Sequence, residues 1–260
     1  MLRIDALAGD ARAGHRPGPG LGLMLEKVTA SRGGSREGGH MEPDGKQRVA
    51  SAGAALVQDG MWVGLGSGTT VLALVDALGR LRPQARYVAS SPSVQARARL
   101  HGLTILDFDA PDAPVVLSLA LDGADAIADD GWVLKGRGGA HTRERVVARA
   151  AGGAVLLVTA DKRVPRLGAP VPVEVLRFGL ASTLRALEQL GEVAVRPAPL
   201  TPDGGVLVDV ALDLDDPARA AAILDSMPGV VDHGLFPPSL VSGVMVAEGS
   251  QVTTHWRKAP

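Results

Sequence analysis

The sequence predicts an α/β fold, in which a Rossmann-like parallel sheet with helices on both faces carries an inserted ferredoxin-like α+β domain. Short apolar segments alternate with helical patterns up to about residue 165, as expected for such a sheet. The stretch 113–125, "APVVLSLALDGAD", contains a continuous apolar run, which is typical of a strand buried on both faces. From about residue 170 the order becomes β-α-β-β-α-β, the ferredoxin-like arrangement.

The elements of the parallel sheet follow in order along the chain. The helical pattern "KQRVASAGAALVQDG" stops at Gly60, and the strand "MWVGLG" comes next. A glycine loop then begins a helix that is predicted to close at Gly79. After the strand "ARYVAS", the helix "SPSVQARARLHG" has a serine at its cap, Pro92 early and Gly102 after its end. The strands "LTILDF" and 113–125, a glycine-rich stretch, another helix and the strand "AVLLVTA" complete this part.

The second part has its own pattern. The segments "VPVEVL", "EVAVRPA", "VLVDVALDL" and "VVDHGLF" are predicted strands, and "LASTLRALEQLG" is a predicted helix. A second helix, "DDPARAAAILDSMPG", has an aspartate at its cap and Pro217 in its first turn. The segment 242–255 is predicted to rejoin the first sheet. We therefore expect a catalytic domain formed by 42–165 with 237–257, and a ferredoxin-like domain formed by 166–236.

Residues 1–41 are rich in glycine, arginine and small residues. This stretch has too little apolar surface to offset the entropy lost on ordering, so it is predicted to be a disordered tail.

Composition excludes several classes of function. The formal net charge is −1, which argues against a general nucleic-acid binder. The chain has no cysteine, so disulfides and thiolate metal sites or nucleophiles are excluded, and a cytoplasmic location is expected. The best apolar run, 150–160, is shorter than the roughly 20 residues that span a bilayer, so no membrane partner is expected.

Three stretches fall where ligands bind in open α/β sheets, beyond the carboxyl ends of the strands. The first is "GLGSGTT", 64–70. It lacks the third glycine and the later acidic residue of a dinucleotide loop, and it lacks the lysine of a Walker A loop. Backbone N–H groups and hydroxyls at a helix N-terminus suit a phosphate, although a tight turn with a threonine cap explains the pattern equally well.

The second stretch is "LDGAD", 121–125, in which Asp122 and Asp125 follow a run of apolar residues. Carboxylates there are costly unless they are paired or used. The pair could hold sugar hydroxyls, bind a metal or transfer protons. An aspartate-rich turn that caps the next element is the simpler interpretation.

The third stretch is "LKGRGGAHTRERVVARA", 134–150. Lys135 ends a predicted short strand, and the glycines leave the backbone open to a substrate. Thr142 is expected to cap the helix and to place Glu144 in its first turn, where a carboxylate complements the helix dipole. His141 could be a general base, but a surface position is the expectation for it. The neighbouring arginines could be ordinary surface charges.

Together these stretches resemble one family, the A-type ribose-5-phosphate isomerases. That family carries G-x-G-T-G-S-T, then D-G-A-D-E, then K-G-x-G-G-A-x-x-R-E-K, and this chain has "GLGSGTT", "DGADA" and "KGRGGAHTRER" in the same order. The resemblance continues in "PVEV", "PDGGVLVDV" and "MPGVVDHGLF" and spans about 44 to about 250. The chain departs from the family pattern at Ala126, Arg137 and His141.

The resemblance implies interconversion of D-ribose 5-phosphate and D-ribulose 5-phosphate through an enediolate, in the pentose phosphate pathway. It implies that Glu144 is the proton acceptor, that Lys135 stabilises the oxyanion, and that Asp122 and Asp125 hold hydroxyls, help to open the sugar ring and shuttle a proton. The implied substrate-binding residues are Lys46, Ser67, Gly68, Thr69, Thr70, Asp122, Gly123, Ala124, Asp125, Lys135, Gly136, Arg137, Gly138 and Lys162. No metal or organic cofactor is implied, and a homo-oligomer, dimer or tetramer, is expected.

Other functions remain as alternatives. A non-catalytic sugar-phosphate-sensing module would share the fold but would not need a base at Glu144. A sugar-phosphate deaminase or a CoA transferase fits the K-G-x-G-G-A…R-E spacing poorly. A nicotinamide dehydrogenase is the weakest alternative, because the acidic ribose ligand is missing.

Overall fold

The computed structural model describes residues 44–114 and 116–257. The predicted tail 1–41 lies outside these residues. These described residues form one compact unit that contains every sheet described below. The division into 42–165 with 237–257 and 166–236 stays a prediction.

The described residues contain six α-helices and fifteen strands. The helices are α1 (Gly45–Ala54), α2 (Gly68–Leu81), α3 (Pro92–Leu100), α4 (His141–Ala150), α5 (Leu180–Leu187) and α6 (Pro217–Asp225). The strands are β1 (Trp62–Leu65), β2 (Arg86–Ala89), β3 (Thr104–Ile105), β4 (Leu119–Asp122), β5 (Ala126–Ala128), β6 (Val133–Leu134), β7 (Ala154–Thr159), β8 (Arg163–Val164), β9 (Val171–Val175), β10 (Val193–Val195), β11 (Val206–Val210), β12 (Val230–His233), β13 (Leu235–Phe236), β14 (Gly243–Glu248) and β15 (Gln251–Trp256).

The largest sheet has seven strands in the order β15-β14-β7-β4-β1-β2-β3. Six of them run parallel, and β15 is an antiparallel edge strand paired with β14. The predicted return of the C-terminal segment to the first sheet is confirmed, and this segment is a hairpin rather than one strand. Because the strands are parallel, the ends of β1, β4 and β7 meet at one edge.

The second sheet has four antiparallel strands in the order β10-β11-β9-β12. With α5 and α6 it confirms the predicted ferredoxin-like arrangement. Asp216 caps α6 through a bond from the Arg219 N–H, and Pro217 occupies the first turn, as predicted.

A third sheet, β13-β6-β5-β8, was not expected from the sequence. Its strands are two or three residues long, too short for a periodic pattern to reveal them. The predicted strand "VVDHGLF" divides at Gly234, so that β12 belongs to the second sheet and β13 to the third. This third sheet brings β6, and with it Lys135, against β13.

Several predicted boundaries were wrong. The helix α2 continues past Gly79 to Leu81, and Gly79 is packed against His101. The buried strand of the stretch 113–125 begins only at Leu119. The preceding Val116 is two-thirds exposed, so this apolar run is not buried throughout.

The core consists mainly of aliphatic side chains, as the low aromatic content requires. One cluster, which includes Val49, Leu74 and Leu157, packs around the seven-stranded sheet. Another, which includes Val173 and Leu224, lies in the ferredoxin-like layer. Among the residues that the structure describes, no helix combines the length and apolarity needed to cross a membrane.

Candidate active site

A cleft of about 300 Å³ opens at the carboxyl edge of the seven-stranded sheet. It receives residues from the loop after β1, from the turn after β4, from the glycine stretch after β6, and from the turn after β7. Its lining is formed by Lys46, Ser67, Gly68, Thr69, Thr70, Gly123, Ala124, Asp125, Lys135, Gly136, Arg137, Gly138, Glu144 and Lys162. The three stretches singled out in the sequence therefore converge on one cleft.

A buried cluster of three charges includes Lys135 and Glu144, which line the cleft, and Asp122, which was predicted to bind substrate but is not among the lining residues. The Lys135 Nζ atom is 2.8 Å from Asp122 Oδ2 and 3.2 Å from Glu144 Oε2, and it donates to the Gly123 carbonyl at 2.6 Å. The Lys135 and Glu144 side chains are each 5% exposed, and that of Asp122 is 14% exposed. One ammonium group thus serves two carboxylates in a site largely shielded from water.

Burial and mutual charge shift the pKa values of this cluster. Desolvation, followed by the charge of Glu144, raises the pKa of Asp122 to about 7, although Lys135 opposes the shift. Burial alone would lower the pKa of Lys135, but Asp122 and Glu144 outweigh it and hold this pKa above its ordinary value. Lys135 is therefore a fixed cation, whereas burial beside Glu144 favours the protonated form of Asp122.

The loop after β1 supports both carboxylates. The Ser67 hydroxyl donates to Glu144 Oε1 at 2.5 Å, and the Ser67 N–H donates to Asp122 Oδ1 at 3.2 Å. Ser67 is the N-cap of α2, yet its side chain makes no capping bond. A Cβ atom on Gly66 would lie 1.8 Å from the Asp122 carboxylate, so only glycine leaves room for Asp122.

The glycine stretch lies opposite this loop. Gly136 has a φ of +97°, a conformation that favours glycine, and a Cβ atom there would lie 2.7 Å from His141. The Arg137 N–H donates to Asp125 Oδ2 at 2.9 Å, while the Arg137 side chain is 80% exposed. Asp125 thus positions the backbone of the glycine stretch, a contact that the sequence did not indicate.

The mouth of the cleft carries cations and hydroxyls. Lys46 Nζ donates to Thr69 Oγ1 at 2.9 Å, which joins α1 to the beginning of α2. Lys162 follows β7, lines the same cleft and pairs with Asp161 at 3.0 Å. Together with the free N–H groups at the start of α2, these side chains form an environment suited to an anion.

Two expectations about α4 were wrong. Thr142 does not cap the helix, because the N-cap is Ala140 and the Thr142 hydroxyl donates to the buried carboxylate of Glu174. His141 is completely buried, not on the surface, and burial lowers its pKa to about 4. The expected place of Glu144 in the first turn is confirmed.

Arg196, at the end of β10, is a contact to the site that the sequence did not reveal. Its guanidinium donates to the carbonyls of Gly136 at 2.8 Å and Arg137 at 3.1 Å, and it pairs with Asp209. It holds the glycine stretch from the ferredoxin-like layer. No local pattern marks such a residue, because its partners lie about 60 positions away in the sequence.

A family model described as ribose 5-phosphate isomerase A (phosphoriboisomerase A) matches residues 86–251. The chain belongs to this family. A ribose-5-phosphate isomerase A from Thermomicrobium roseum is 44% identical over 204 residues, which cover 74% of this chain and 85% of the relative. A homologue of the same name from Acidithiobacillus ferrooxidans is 38% identical over 196 residues, which cover 74% and 88%.

Solved structures agree with this membership. The ribose 5-phosphate isomerase A structure from Methanocaldococcus jannaschii has a TM-score of 0.76 at 30% identity, covering 82% of this chain and 99% of that one. The structure from Neisseria gonorrhoeae has a TM-score of 0.76 at 24% identity, covering 84% and 99%, and it supports the fold. The predicted fold class is confirmed, and the protein is an isomerase of the ribose-5-phosphate isomerase A family.

Proposed function

We propose that the enzyme interconverts D-ribose 5-phosphate and D-ribulose 5-phosphate through an enediolate, with Glu144 as the base and Lys135 as the electrophile. The observation that carries this proposal is the buried Lys135 ammonium, which contacts the carboxylates of both Asp122 and Glu144, with Lys135 and Glu144 lining the cleft. An enediolate mechanism needs a base that moves a proton between the two reacting carbons. It also needs a positive charge that stabilises the negative charge on their oxygens.

The proposed reaction begins with the open-chain sugar. The Glu144 carboxylate removes the proton from C2, the electron pair forms a C1–C2 double bond, and the carbonyl oxygen on C1 gains negative charge. A proton moves from the oxygen on C2 to the oxygen on C1. Glu144 then returns its proton to C1, which produces the ketose without loss or gain of atoms.

Lys135 and the aspartates assist at the oxygens. The raised pKa of Lys135 keeps its charge available to the oxyanion throughout the physiological range. Asp122, whose pKa is about 7, is suited to move a proton between the two oxygens and to assist ring opening. Asp125 lines the cleft, where its carboxylate would accept a hydrogen bond from a sugar hydroxyl.

The phosphate would bind at the mouth of the cleft. Lys46, Thr69, Thr70 and Lys162 line that region together with the beginning of α2. Because the phosphate is remote from C1 and C2, its binding energy can orient the reacting carbons. One of the solved relatives is a D-ribose-5-phosphate isomerase in complex with phospho-erythronic acid, an acid that carries a phosphate.

The test is turnover by the purified full chain, with EDTA present, in D2O. We expect ribulose 5-phosphate to form from ribose 5-phosphate and to carry deuterium at C1, because the base exchanges its proton with solvent. Ketose that stays free of deuterium after many reversible turnovers would argue against a solvent-exchanging base. Tight sugar-phosphate binding without turnover would favour the sensing module instead.

No observation supports that non-catalytic alternative. A sensing site needs hydroxyl and phosphate ligands, whereas a desolvated carboxylate held by a serine hydroxyl and an ammonium is costly to keep for binding alone.

We also propose that the enzyme is a cytoplasmic homo-oligomer, dimer or tetramer, which needs no metal or organic cofactor. Phe178 is 92% exposed, and Leu176 is half exposed in the same loop after β9. Assembly would bury such an apolar surface. Size-exclusion chromatography with light scattering is expected to give two or four copies, and a monomer at assay concentrations would contradict the proposal.

A further inference from the structure

Arg145 follows the proposed base directly in the sequence, yet its side chain does not line the cleft and is 16% exposed. Its Nε atom donates to Asp232 Oδ2 at 2.9 Å. Its Nη2 atom donates to the carbonyls of His233 at 2.6 Å and Leu235 at 3.0 Å. The guanidinium also lies 4.2 Å from the centroid of the Phe236 ring. One side chain of α4 thus contacts most of the segment 232–236.

The segment 232–236 also supports Lys135. The Lys135 N–H donates to the Gly234 carbonyl at 2.9 Å, and a Cβ atom on Gly234 would lie 2.2 Å from the Lys135 carbonyl. The strand β13 pairs with β6, the strand that ends just before Lys135. The Lys135 Nζ atom lies 5.7 Å from the centroid of the Phe236 ring. The segment therefore contacts both the main chain and the side chain of the lysine.

The chain between Lys135 and Glu144 cannot by itself maintain their separation. It contains Gly136, Gly138 and Gly139, and glycine gives a backbone its greatest freedom. Asp125 and Arg196 hold this backbone, and the path through Arg145 adds a separate support, because a planar guanidinium with several N–H donors fixes direction as well as distance. It runs from α4 through the guanidinium to the segment 232–236, and from there to Lys135.

We propose that Arg145 is a positioning residue that holds the segment 232–236 against α4 and thereby sets the Lys135 ammonium against the Glu144 carboxylate. This inference rests on the proposed function. Arg145 does not line the cleft, so its effect is exerted through the position of Lys135. The family motif has lysine at this position, and lysine can donate to the same carbonyls with less geometric control.

The test compares Arg145→Met with Arg145→Lys in the full chain. For Arg145→Met we expect kcat to fall about 10- to 100-fold, since a displacement of about 1 Å at reacting groups has an effect of this size. The KM and the inhibition constant of inorganic phosphate should stay unchanged, because Lys46 and Thr69 belong to other elements. Arg145→Lys should restore most of kcat, because its ammonium reaches the same carbonyls.

Two control variants separate positioning from a general loss of stability. Arg149→Met makes the same substitution at an exposed position of α4 and should leave kcat unchanged. Val94→Ala removes buried volume in α3 at a residue that does not line the cleft, and it should lower Tm without lowering kcat at a temperature well below Tm.

An unchanged kcat in Arg145→Met would overturn the proposal. The same loss of kcat in Val94→Ala at an equal loss of Tm would overturn it as well. If Arg145→Met does not fold, Arg145→Gln replaces it with the same expectation, and failure of both variants to fold would assign Arg145 to folding alone. If the wild-type chain does not isomerise ribose 5-phosphate, the proposed function fails, whereas an active wild type with an equally active Arg145→Met variant refutes this inference alone.

Discussion

Replacing Glu144 by glutamine tests the proposed base with little change of shape. The variant keeps the side-chain size and its hydrogen-bonding positions but removes the group that accepts a proton from carbon. A general base contributes about 10²- to 10⁴-fold to a rate. We therefore expect kcat to fall by that factor, which corresponds to about 3 to 5 kcal/mol of activation free energy.

The cluster geometry predicts that the fold tolerates this change. At 3.2 Å and an effective dielectric constant of about 20, the lost Lys135–Glu144 attraction is about 5 kcal/mol. Against it stand the several kcal/mol of desolvation that a buried carboxylate costs and the relief of its repulsion with Asp122. The glutamine oxygen can face Lys135 while its amide donates to Ser67. The free energy of unfolding should thus change by no more than about 2 kcal/mol, a typical single-substitution effect.

The assay is steady-state isomerisation of ribose 5-phosphate, together with a thermal melt of each variant. Glu188→Gln, an exposed change of the same kind, is the matched control and should leave kcat unchanged. The KM of Glu144→Gln should stay near the wild-type value, because the phosphate-binding groups are untouched. A Glu144→Gln enzyme with near wild-type kcat would refute the assignment of the base. A melt showing an unfolded variant would refute the balance of energies worked out above.

Three further variants probe the rest of the cleft. Lys135→Met should lower kcat about 10²- to 10³-fold. It should also lower the free energy of unfolding by about 3 to 5 kcal/mol, because two buried carboxylates lose their cation. An unchanged thermal melt would contradict this prediction. Lys46→Met should raise KM and the inhibition constant of phosphate with little effect on kcat, because Lys46 is proposed to bind the phosphate. A fall in kcat alone would exclude the proposed phosphate position. The pKa of Asp122 is about 7 in the folded state, above its unfolded value of about 3.8, so the folded state binds this proton more tightly. The stability that Asp122 contributes is therefore complete below about pH 4 and is lost as the pH rises to about 7. Asp122→Asn should remove this fall in the free energy of unfolding, measured by urea titration at several pH values, and an unaltered slope would show that another group causes it.

Much of the fold follows from local pattern, since periodicity and turn residues repeat along the chain. The alternation of strands and helices predicts the parallel sheet, and the position of "GLGSGTT" and "LDGAD" after apolar strands predicts the cleft edge. The cleft lining includes the predicted glycine loop, the glycine stretch and all three predicted lysines, whereas Asp122 contributes through its contact with Lys135 and does not line the cleft. These features can be predicted from the sequence because each depends on neighbours within a few residues.

The predictions are wrong where the position of a side chain depends on a partner that is distant in the sequence. Thr142 has the residue type and position of a helix cap, but the carboxylate of Glu174, 32 residues away, takes its hydroxyl. His141 is buried against Gly136, a contact that depends on the path of the glycine stretch. Arg196 reaches the same stretch from another layer of the molecule. Local propensity contains no information about such contacts, because tertiary packing overrides it.

The charge balance of the site explains why its two glycine-rich stretches each begin a helix. Asp122, Lys135 and Glu144 form a buried group with two potential negative charges and one positive charge, which would be unfavourable without further support. Glu144 lies in the first turn of α4, and Asp122 accepts a bond from the N-cap residue of α2, so both carboxylates face the positive end of a helix dipole. Gly66 and Gly136 permit this approach, since a side chain at either position would collide with Asp122 or His141. The glycines that weaken the local helix starts therefore allow two helix ends to stabilise a carboxylate pair beside a lysine, which is the arrangement that the proposed proton transfer uses.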